Sequence, residues 1–116
     1  MKKISLSDVE PYEAPGHFDM EARRIQGTAE SGITTFWMGK SVFQPGGGAD
    51  WAYEDNAHEK VYYVLCGEMT VTSKDEAFNL KPGDSLFIGP NEGRSMLNEG
   101  PDPCELLVVI TYKPVG

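Results

Sequence analysis

The stretch that decides the fold is Gly48–Gly67, GADWAYEDNAHEKVYYVLCG. Its second half is rich in β-branched and aromatic residues, which favour a strand, and alternate residues of a strand face opposite sides of the sheet. Counting in twos places one set of residues on one face of this strand: Glu54, Asn56, His58, Lys60, Tyr62 and Val64. The other face then carries Val61, Tyr63 and Leu65. A slip of one residue would reverse the two faces, so the whole site prediction depends on this register.

The rest of the chain also consists mainly of short predicted strands separated by turns. The runs ITTFWMGKSVF, SLFIG, SMLN and CELLVVITY are separated by the turn signals PGGG, KPGD, PNEG and EGPDP, which is typical of a sandwich or barrel. Pro82 and Gly83 stand where a type II turn requires them. The one helix-like candidate, FDMEARRIQ, is short and lacks a sustained apolar stripe. We therefore predict that residues 1–30 form an extended arm of the same domain.

Composition limits the classes of function. A chain of 116 residues with 40% apolar residues makes one domain with a real core. A formal charge of −8 argues against nucleic acid as a partner, because phosphates require a basic face. The beginning, MKKISLSDVE, does not read as a hydrophobic leader, and LLVVI is too short to cross a bilayer. We expect a cytoplasmic protein with no membrane role.

Two cysteines are too few for a disulfide framework, so both are predicted to be free thiols. Cys66 follows Val64 at a step of two and is therefore expected on the same face as Val64, as a small buried hydrophobe.

The glycine spacing resembles that of the cupin superfamily. Gly48–Gly67 fits the cupin pattern G-x5-H-x-H-x3-E-x6-G without a gap, and this alignment implies that the face with Glu54, Lys60 and Tyr62 is the inner one. GDSLFIGPNEGRSMLN, residues 83–98, fits the spacing of the second cupin pattern, G-x5-P-x-G-x2-H-x3-N, without a gap, and its histidine slot holds Arg94. The resemblance implies an all-β fold, a single cupin β-barrel (jelly roll) over residues 31–116. Cupins include dioxygenases, decarboxylases, isomerases, lyases and non-enzymatic binders, so the fold does not select an activity.

The positions that hold a metal ion in many cupins are changed here to Glu54, Asn56, Lys60 and Arg94. An ammonium has no free lone pair, and a guanidinium cannot be deprotonated, so Lys60 and Arg94 would repel a divalent ion. We therefore predict no metal and no other cofactor. These two cations with Glu54 leave the same formal charge as a divalent ion with one glutamate, so the pocket is expected to keep its attraction for an anion.

This charge pattern predicts a small anionic ligand, a carboxylate or sugar acid. Arg94 would hold the carboxylate with its planar fork, and Lys60 would add a point charge. The predicted catalytic residues are Glu54 as general base, Lys60 as stabiliser of an enolate, and Tyr62 as proton donor. The predicted ligand contacts are Asn56, His58, Arg94, Met96 and Asn98. The corresponding activity is a metal-independent isomerase or lyase.

Three alternatives remain open at this stage. Glu54, Lys60 and Arg94 could form a buried ionic network that fills a disused pocket. The protein could be a non-catalytic binding or sensor module, or a metal enzyme with the atypical ligands Glu54, Asn56 and His58. The aromatic residues that could line a pocket mouth or belong to the core or a dimer contact are Phe36, Trp37, Phe43, Trp51 and Tyr53. The resemblance also implies a homodimer.

Overall fold

The computed structural model describes residues 1–53 and 58–112. Within them, regular structure is almost entirely β, as predicted, with a turn of 3-10 helix at Leu6–Asp8 and a four-residue helix α1 at Thr28–Ser31. The strands are β1 (His17–Gln26), β2 (Phe36–Ala52), β3 (Lys60–Cys66), β4 (Met69–Thr72), β5 (Ala77–Leu80), β6 (Ser85–Ile88), β7 (Arg94–Leu97) and β8 (Cys104–Thr111). In these two ranges no helix has the length and apolarity needed to cross a membrane.

The strands form one antiparallel sheet with the order β5-β4-β7-β2-β8-β3-β6, and β1 is added alongside β2. The sheet curls into a nearly closed barrel. Strand β2 makes this possible because it is long: its first half pairs with β8, and its last residues pair with β7. The core is built from Phe43, Val64, Met69, Val71 and Leu106, all of which are almost completely buried.

The segment FDMEARRIQ, which was the helix-like candidate, is strand β1. It pairs with β2 from His17 opposite Ala49 to Gln26 opposite Met38. Long-range hydrogen bonding to β2 therefore decides its conformation, which the segment's own weak pattern left open. Within the predicted N-terminal arm, ten residues belong to the sheet of the barrel.

The predicted faces of β3 are confirmed. Tyr62 and Val64 are buried, whereas Val61, Tyr63 and Leu65 are exposed. Backbone pairing of Tyr62 with Val108 of β8 and Leu86 of β6 fixes this register on both sides. The side chains that the sequence placed inside at positions 60, 62 and 64 are therefore positioned by three adjacent strands.

Two glycines of the first motif are required by close backbone contacts. A Cβ on Gly48 would overlap the carbonyl oxygen of Met96, where β2 passes β7. Gly67 has a φ of 74° and lies against the carbonyl oxygen of Pro103. Both positions exclude a side chain, because the nearest atom in each case belongs to the backbone and not to the end of a flexible side chain.

The turns of the second motif agree only partly with the pattern. Gly83 has a φ of 90°, and the N–H of Asp84 donates to the carbonyl of Lys81 at 2.8 Å, so KPGD forms the predicted type II turn. Further along, positions 89 and 91 hold Gly and Asn where the cupin pattern has Pro and Gly. Asn91 adopts a φ of 64°, a left-handed conformation that asparagine tolerates better than most residues. The turn is therefore kept with different residues.

The prediction that Cys66 is buried is wrong. The pairing of β3 with β8 shifts register between Val64 and Cys66, which breaks the alternation of faces. Cys66 is exposed, and its Sγ donates to Oε2 of Glu105 at 3.3 Å. Cys104 is the buried thiol, and its burial raises its pKa to about 11. Both cysteines are free, as predicted.

Candidate active site

A cavity of about 480 Å³ opens inside the barrel, which is within the size range of small-molecule pockets. It is walled by β1, β2, β3, β7 and β8 and by the chain just before β1. The described lining side chains with polar groups are Tyr12, His17, Trp37, Ser41, Trp51, Tyr53, Lys60, Tyr62 and Arg94. The apolar lining includes Met20, Phe43, Met96, Leu106, Val108 and Ile110. The cavity thus combines apolar walls with a small cluster of polar side chains.

Arg94 is the first residue of β7 and is only 7% exposed. Its Nε donates to the hydroxyl oxygen of Tyr62 at 3.2 Å, and its Nη1 donates to the carbonyl of Asp50 at 3.3 Å. Within residues 1–53 and 58–112, no carboxylate lies within ion-pair distance of it, and Nη2 has no hydrogen-bond acceptor. A buried guanidinium keeps its charge, so leaving it without a counter-ion costs free energy. An anion entering the cavity would remove that cost.

Lys60 is the first residue of β3 and is half-buried. Its side chain lines the same cavity as Arg94, as the sequence predicted. It too has no ion-pair partner in the described part of the chain. The two cations therefore face one cavity, and their mutual repulsion adds to the demand for a negative charge between them.

His17, on β1, is a lining residue that was given no role in the sequence-based site. Its Nδ1 lies 2.9 Å from the carbonyl oxygen of Pro15, and its ring rests on Phe43 with centroids 6.3 Å apart. Burial lowers the pKa of His17, and the positive charges of Arg94 and Lys60 lower it further, against the opposing effects of the Pro15 carbonyl and Asp50. The imidazole is therefore neutral at pH 7.

The hydrogen bond to Pro15 fixes the tautomer of His17. Because a carbonyl oxygen only accepts, Nδ1 carries the proton and Nε2 keeps its lone pair. A neutral imidazole with a free lone pair, next to two cations, is a suitable general base. Nothing local in the sequence connects residue 17 with residue 94; the signal lies in the pairing of His17 with Ala49, which brings β1 to the cavity.

Residues 39–110 match the family described as Cupin domain. The chain belongs to the cupin family. Lys60, Tyr62 and Arg94 lie within the matched range of this cupin, whereas His17 lies outside it. The catalytic candidate on β1 is therefore a feature that the family match does not cover.

A protein of Mycobacterium tuberculosis named Beta-D-galactosidase Rv1717 is 35% identical to this cupin over 112 residues, covering 97% of this chain and 95% of its own. Among solved structures, the polyketide cyclase RemF from Streptomyces resistomycificus has a TM-score of 0.83 at 24% identity, covering 99% of this chain and 82% of its own. A sugar phosphate isomerase from Silicibacter pomeroyi has a TM-score of 0.79 at 20% identity, covering 97% and 77%. The two structural likenesses show the fold alone.

Only some of the other predicted ligand-contacting and catalytic residues of this cupin line the cavity. Tyr62 and Met96 line the cavity. Asn98 is buried, but its Nδ2 donates to the carbonyls of Phe43 and Asp102 at 3.1 and 2.9 Å, and its Oδ1 accepts the N–H of Gly100 at 3.0 Å. The side chain of Asn98 is therefore fully engaged with backbone groups. It is absent from the described cavity lining.

His58 has its Nδ1 2.6 Å from the carbonyl oxygen of Thr111, at the end of β8. It does not belong to the described lining of the cavity either. Glu54 and Asn56 lie outside the described residues, so their roles as base, contact or metal ligand stay predictions.

Aromatic side chains surround the cavity. Trp37, Phe43, Trp51 and Tyr53 belong to its lining, which is one of the alternatives that the sequence left open, whereas Phe36 is partly exposed and is not among the described lining residues. Trp37 already has partners, because Tyr12 packs edge-on against it and the guanidinium of Arg24 lies 5.7 Å from its ring centroid. Trp51 is 52% exposed.

Among residues 1–53 and 58–112, the side chains that line this cavity do not form a ligand set for a divalent metal ion. First-row metals in proteins are held by several neutral imidazoles, thiolates or carboxylates. Across residues 1–53 and 58–112, no group of three or more His, Cys, Asp or Glu residues could hold such an ion. Instead of such a group, the described lining contains one imidazole and two cations.

Proposed function

We propose that this cupin binds a small carboxylated, sugar-derived ligand and acts on it as a metal-independent isomerase or lyase. The observation that carries the proposal is the pair Arg94 and Lys60, which face one cavity of about 480 Å³ with no carboxylate partner among the described residues. A cavity of this volume also argues against a collapsed ionic network. The galactosidase name of the relative at 35% identity favours a sugar-derived ligand over other small acids.

The chemistry follows from the charges. A ligand carboxylate would bind to the free Nη2 side of Arg94, with Lys60 neutralising further negative charge. Nε2 of His17 would take the proton from a carbon next to a carbonyl or carboxylate group, while the C–H electron pair moves onto the oxygen. Arg94 and Lys60 would stabilise that enolate charge.

Completion of the reaction requires the proton to return. In an isomerisation, a hydroxyl on the carbon that lost its hydrogen would pass its proton to the enolate oxygen and become the new carbonyl, while the C=C electron pair takes the proton of the His17 imidazolium at the neighbouring carbon. In an elimination, the enolate would expel an oxygen leaving group, which would receive the same proton. The hydroxyl of Tyr62 accepts a hydrogen bond from Arg94, so its own proton is available to hydrogen-bond the developing oxyanion.

The test is proton exchange at carbon in D₂O. Hexuronates and keto acids would be incubated with the protein, and loss of the NMR signal of the C–H next to the carboxylate or carbonyl would be followed over time. We expect exchange with the wild type, and loss of about 10²–10⁴ in rate in His17→Gln. Glu54→Gln tests the base predicted from the sequence. If His17→Gln exchanged at the wild-type rate and Glu54→Gln did not exchange, the general base would be Glu54 and not His17.

Two other outcomes define the competing functions. Ligand-induced thermal stabilisation without exchange or product would identify a binding or sensor module. Hydrolysis of an aryl β-D-galactoside is the second candidate activity, favoured by the similarity to the galactosidase-named protein. Glycoside hydrolysis normally uses two carboxylic acids, and the described lining supplies none.

The homodimer remains a prediction, for which sedimentation equilibrium is the direct test.

A further inference from the structure

We infer that Trp51 is a stacking platform for a sugar ring beside Arg94, so that the ligand is a closed-ring uronic acid and not an open-chain acid. This inference rests on the proposed function, which supplies the carboxylate of the ligand. It adds that the carboxylate is attached to a sugar ring. It concerns the one exposed tryptophan at the cavity and the glycine beneath it.

Trp51 is held against the backbone next to Arg94. A Cβ on Gly93 would overlap Cζ2 of the Trp51 indole and would lie 2.9 Å from its Cε2. The indole edge therefore occupies the space that any other residue at position 93 would fill. Gly93 immediately precedes Arg94, so the indole of Trp51 packs on the residue next to the one that carries the guanidinium.

The flanking backbone of Trp51 is tied to Arg94 from both sides. Ala52 is the register partner of Arg94 where β2 meets β7. The carbonyl of Asp50 accepts the hydrogen bond from Nη1 of Arg94. The indole thus keeps a set position relative to the cation, which is what recognition of a ring and a charge in one ligand requires.

The free face of Trp51 has a chemistry that suits a pyranose. An aromatic ring is negative over its face, and the C–H groups on one face of a sugar ring present partial positive charge. In the galacto configuration, the hydrogens on C3, C4 and C5 lie on one face, and C5 of the uronic acid bears the carboxylate. Within residues 1–53 and 58–112, no aromatic or cationic side chain covers the Trp51 ring, in contrast to Trp37.

The experiment compares three ligands by calorimetry: methyl β-D-galacturonoside, which is a charged ring, galactonate, which is a charged open chain, and methyl β-D-galactoside, which is a neutral ring. We expect Trp51→Ala to weaken binding of the charged ring about tenfold and to change binding of galactonate less than twofold. Arg94→Met should weaken both charged ligands and leave the neutral ring unchanged. Gly93→Ala, which displaces the indole without removing it, should reproduce the effect of Trp51→Ala, with circular dichroism as the check on folding.

Fluorescence gives an independent readout, because the chain has two tryptophans. In Trp37→Phe the remaining indole is Trp51, and its emission should change when the charged ring binds. In Trp51→Phe, at saturating ligand, the Trp37 emission should change much less. Equal effects of Trp51→Ala on the ring and the open chain, or no effect on either, would overturn the platform.

The outcomes separate the two proposals. If Arg94→Met weakens the acids but Trp51→Ala makes no distinction between them, the platform is wrong and the anion site stands. If the neutral ring binds as well as the charged one and depends on Trp51, the platform stands and the anion site is wrong. If none of the three ligands binds at millimolar concentration, both are overturned.

Discussion

The guanidinium of Arg94 donates to the hydroxyl of Tyr62 across the cavity, with Nε and Oη 3.2 Å apart. The two residues start from different strands, β7 and β3, and both are buried. This contact holds the guanidinium in place without neutralising it, because a phenol hydroxyl carries no charge. No carboxylate of residues 1–53 and 58–112 pairs with it either, so within this part of the chain the cation stays available to an incoming anion.

Removal of the charge of Arg94 should abolish ligand binding but change the free energy of unfolding only slightly. Arg94→Met keeps most of the side-chain volume and eliminates a buried cation that has no described counter-ion, while Tyr62 loses one hydrogen bond worth about 1 kcal/mol. We expect the free energy of unfolding to change by less than about 1 kcal/mol in urea titrations. The thermal stabilisation by hexuronates should disappear. A loss of several kcal/mol with retained ligand binding would show that Arg94 is structural.

Asn98 should behave in the opposite way. Asn98→Ala leaves two backbone carbonyls and one backbone N–H without their partner, so we expect a loss of about 2–4 kcal/mol in urea unfolding. The matched control is Asn79→Ala, because Asn79 is exposed and makes one hydrogen bond, to Thr70. The control should lose less than about 1 kcal/mol. A similar loss in both variants would contradict the structural role of Asn98.

The lowered pKa of His17 predicts two effects of pH. Proton abstraction should follow the neutral imidazole, so the acid limb of the rate profile should lie below the ordinary histidine value of 6.5. Since the unfolded chain protonates first as the pH falls below 6.5, this group lowers the stability progressively between 6.5 and the lower folded pKa, and the loss stays constant below that pKa. Above 6.5 it makes no such contribution.

His17→Gln removes that titration. The stability difference between wild type and variant, measured by urea unfolding from pH 7.5 to 5, should be constant above 6.5 and should shift against the wild type below it. A difference that does not vary with pH would contradict a lowered pKa for His17.

The two thiols should differ in reactivity with a disulfide reagent. Cys66 is exposed, whereas Cys104 is buried and its pKa is raised to about 11, so the thiolate of Cys104 is scarce at pH 8. We expect one thiol to react within minutes in the native protein and the second to react at the rate of unfolding. Cys66→Ser should abolish the fast phase. Fast reaction of both thiols in the native protein would contradict the burial of Cys104.

Local sequence patterns predicted those features that neighbouring residues control. The alternation through KVYYVLC placed Lys60 and Tyr62 on the inner face, and Gly83 predicted its turn, because strand parity and left-handed φ angles are properties of a few consecutive residues. The same parity failed at Cys66, where a shift in pairing with β8 turns the chain. A bulge depends on the partner strand, so the strand's own sequence did not reveal it.

The sequence by itself determined the barrel, the inner face of β3 and the presence of the two cations Lys60 and Arg94 at positions of the cupin pattern. Only the tertiary structure decided that His17 joins them, that Asn98 is engaged by backbone, and that Trp51 lies over Gly93 beside Arg94. The physical reason is the separation along the chain. These contacts form when β1 pairs with β2 and β2 with β7, and such pairings are set by the packing of the whole sheet.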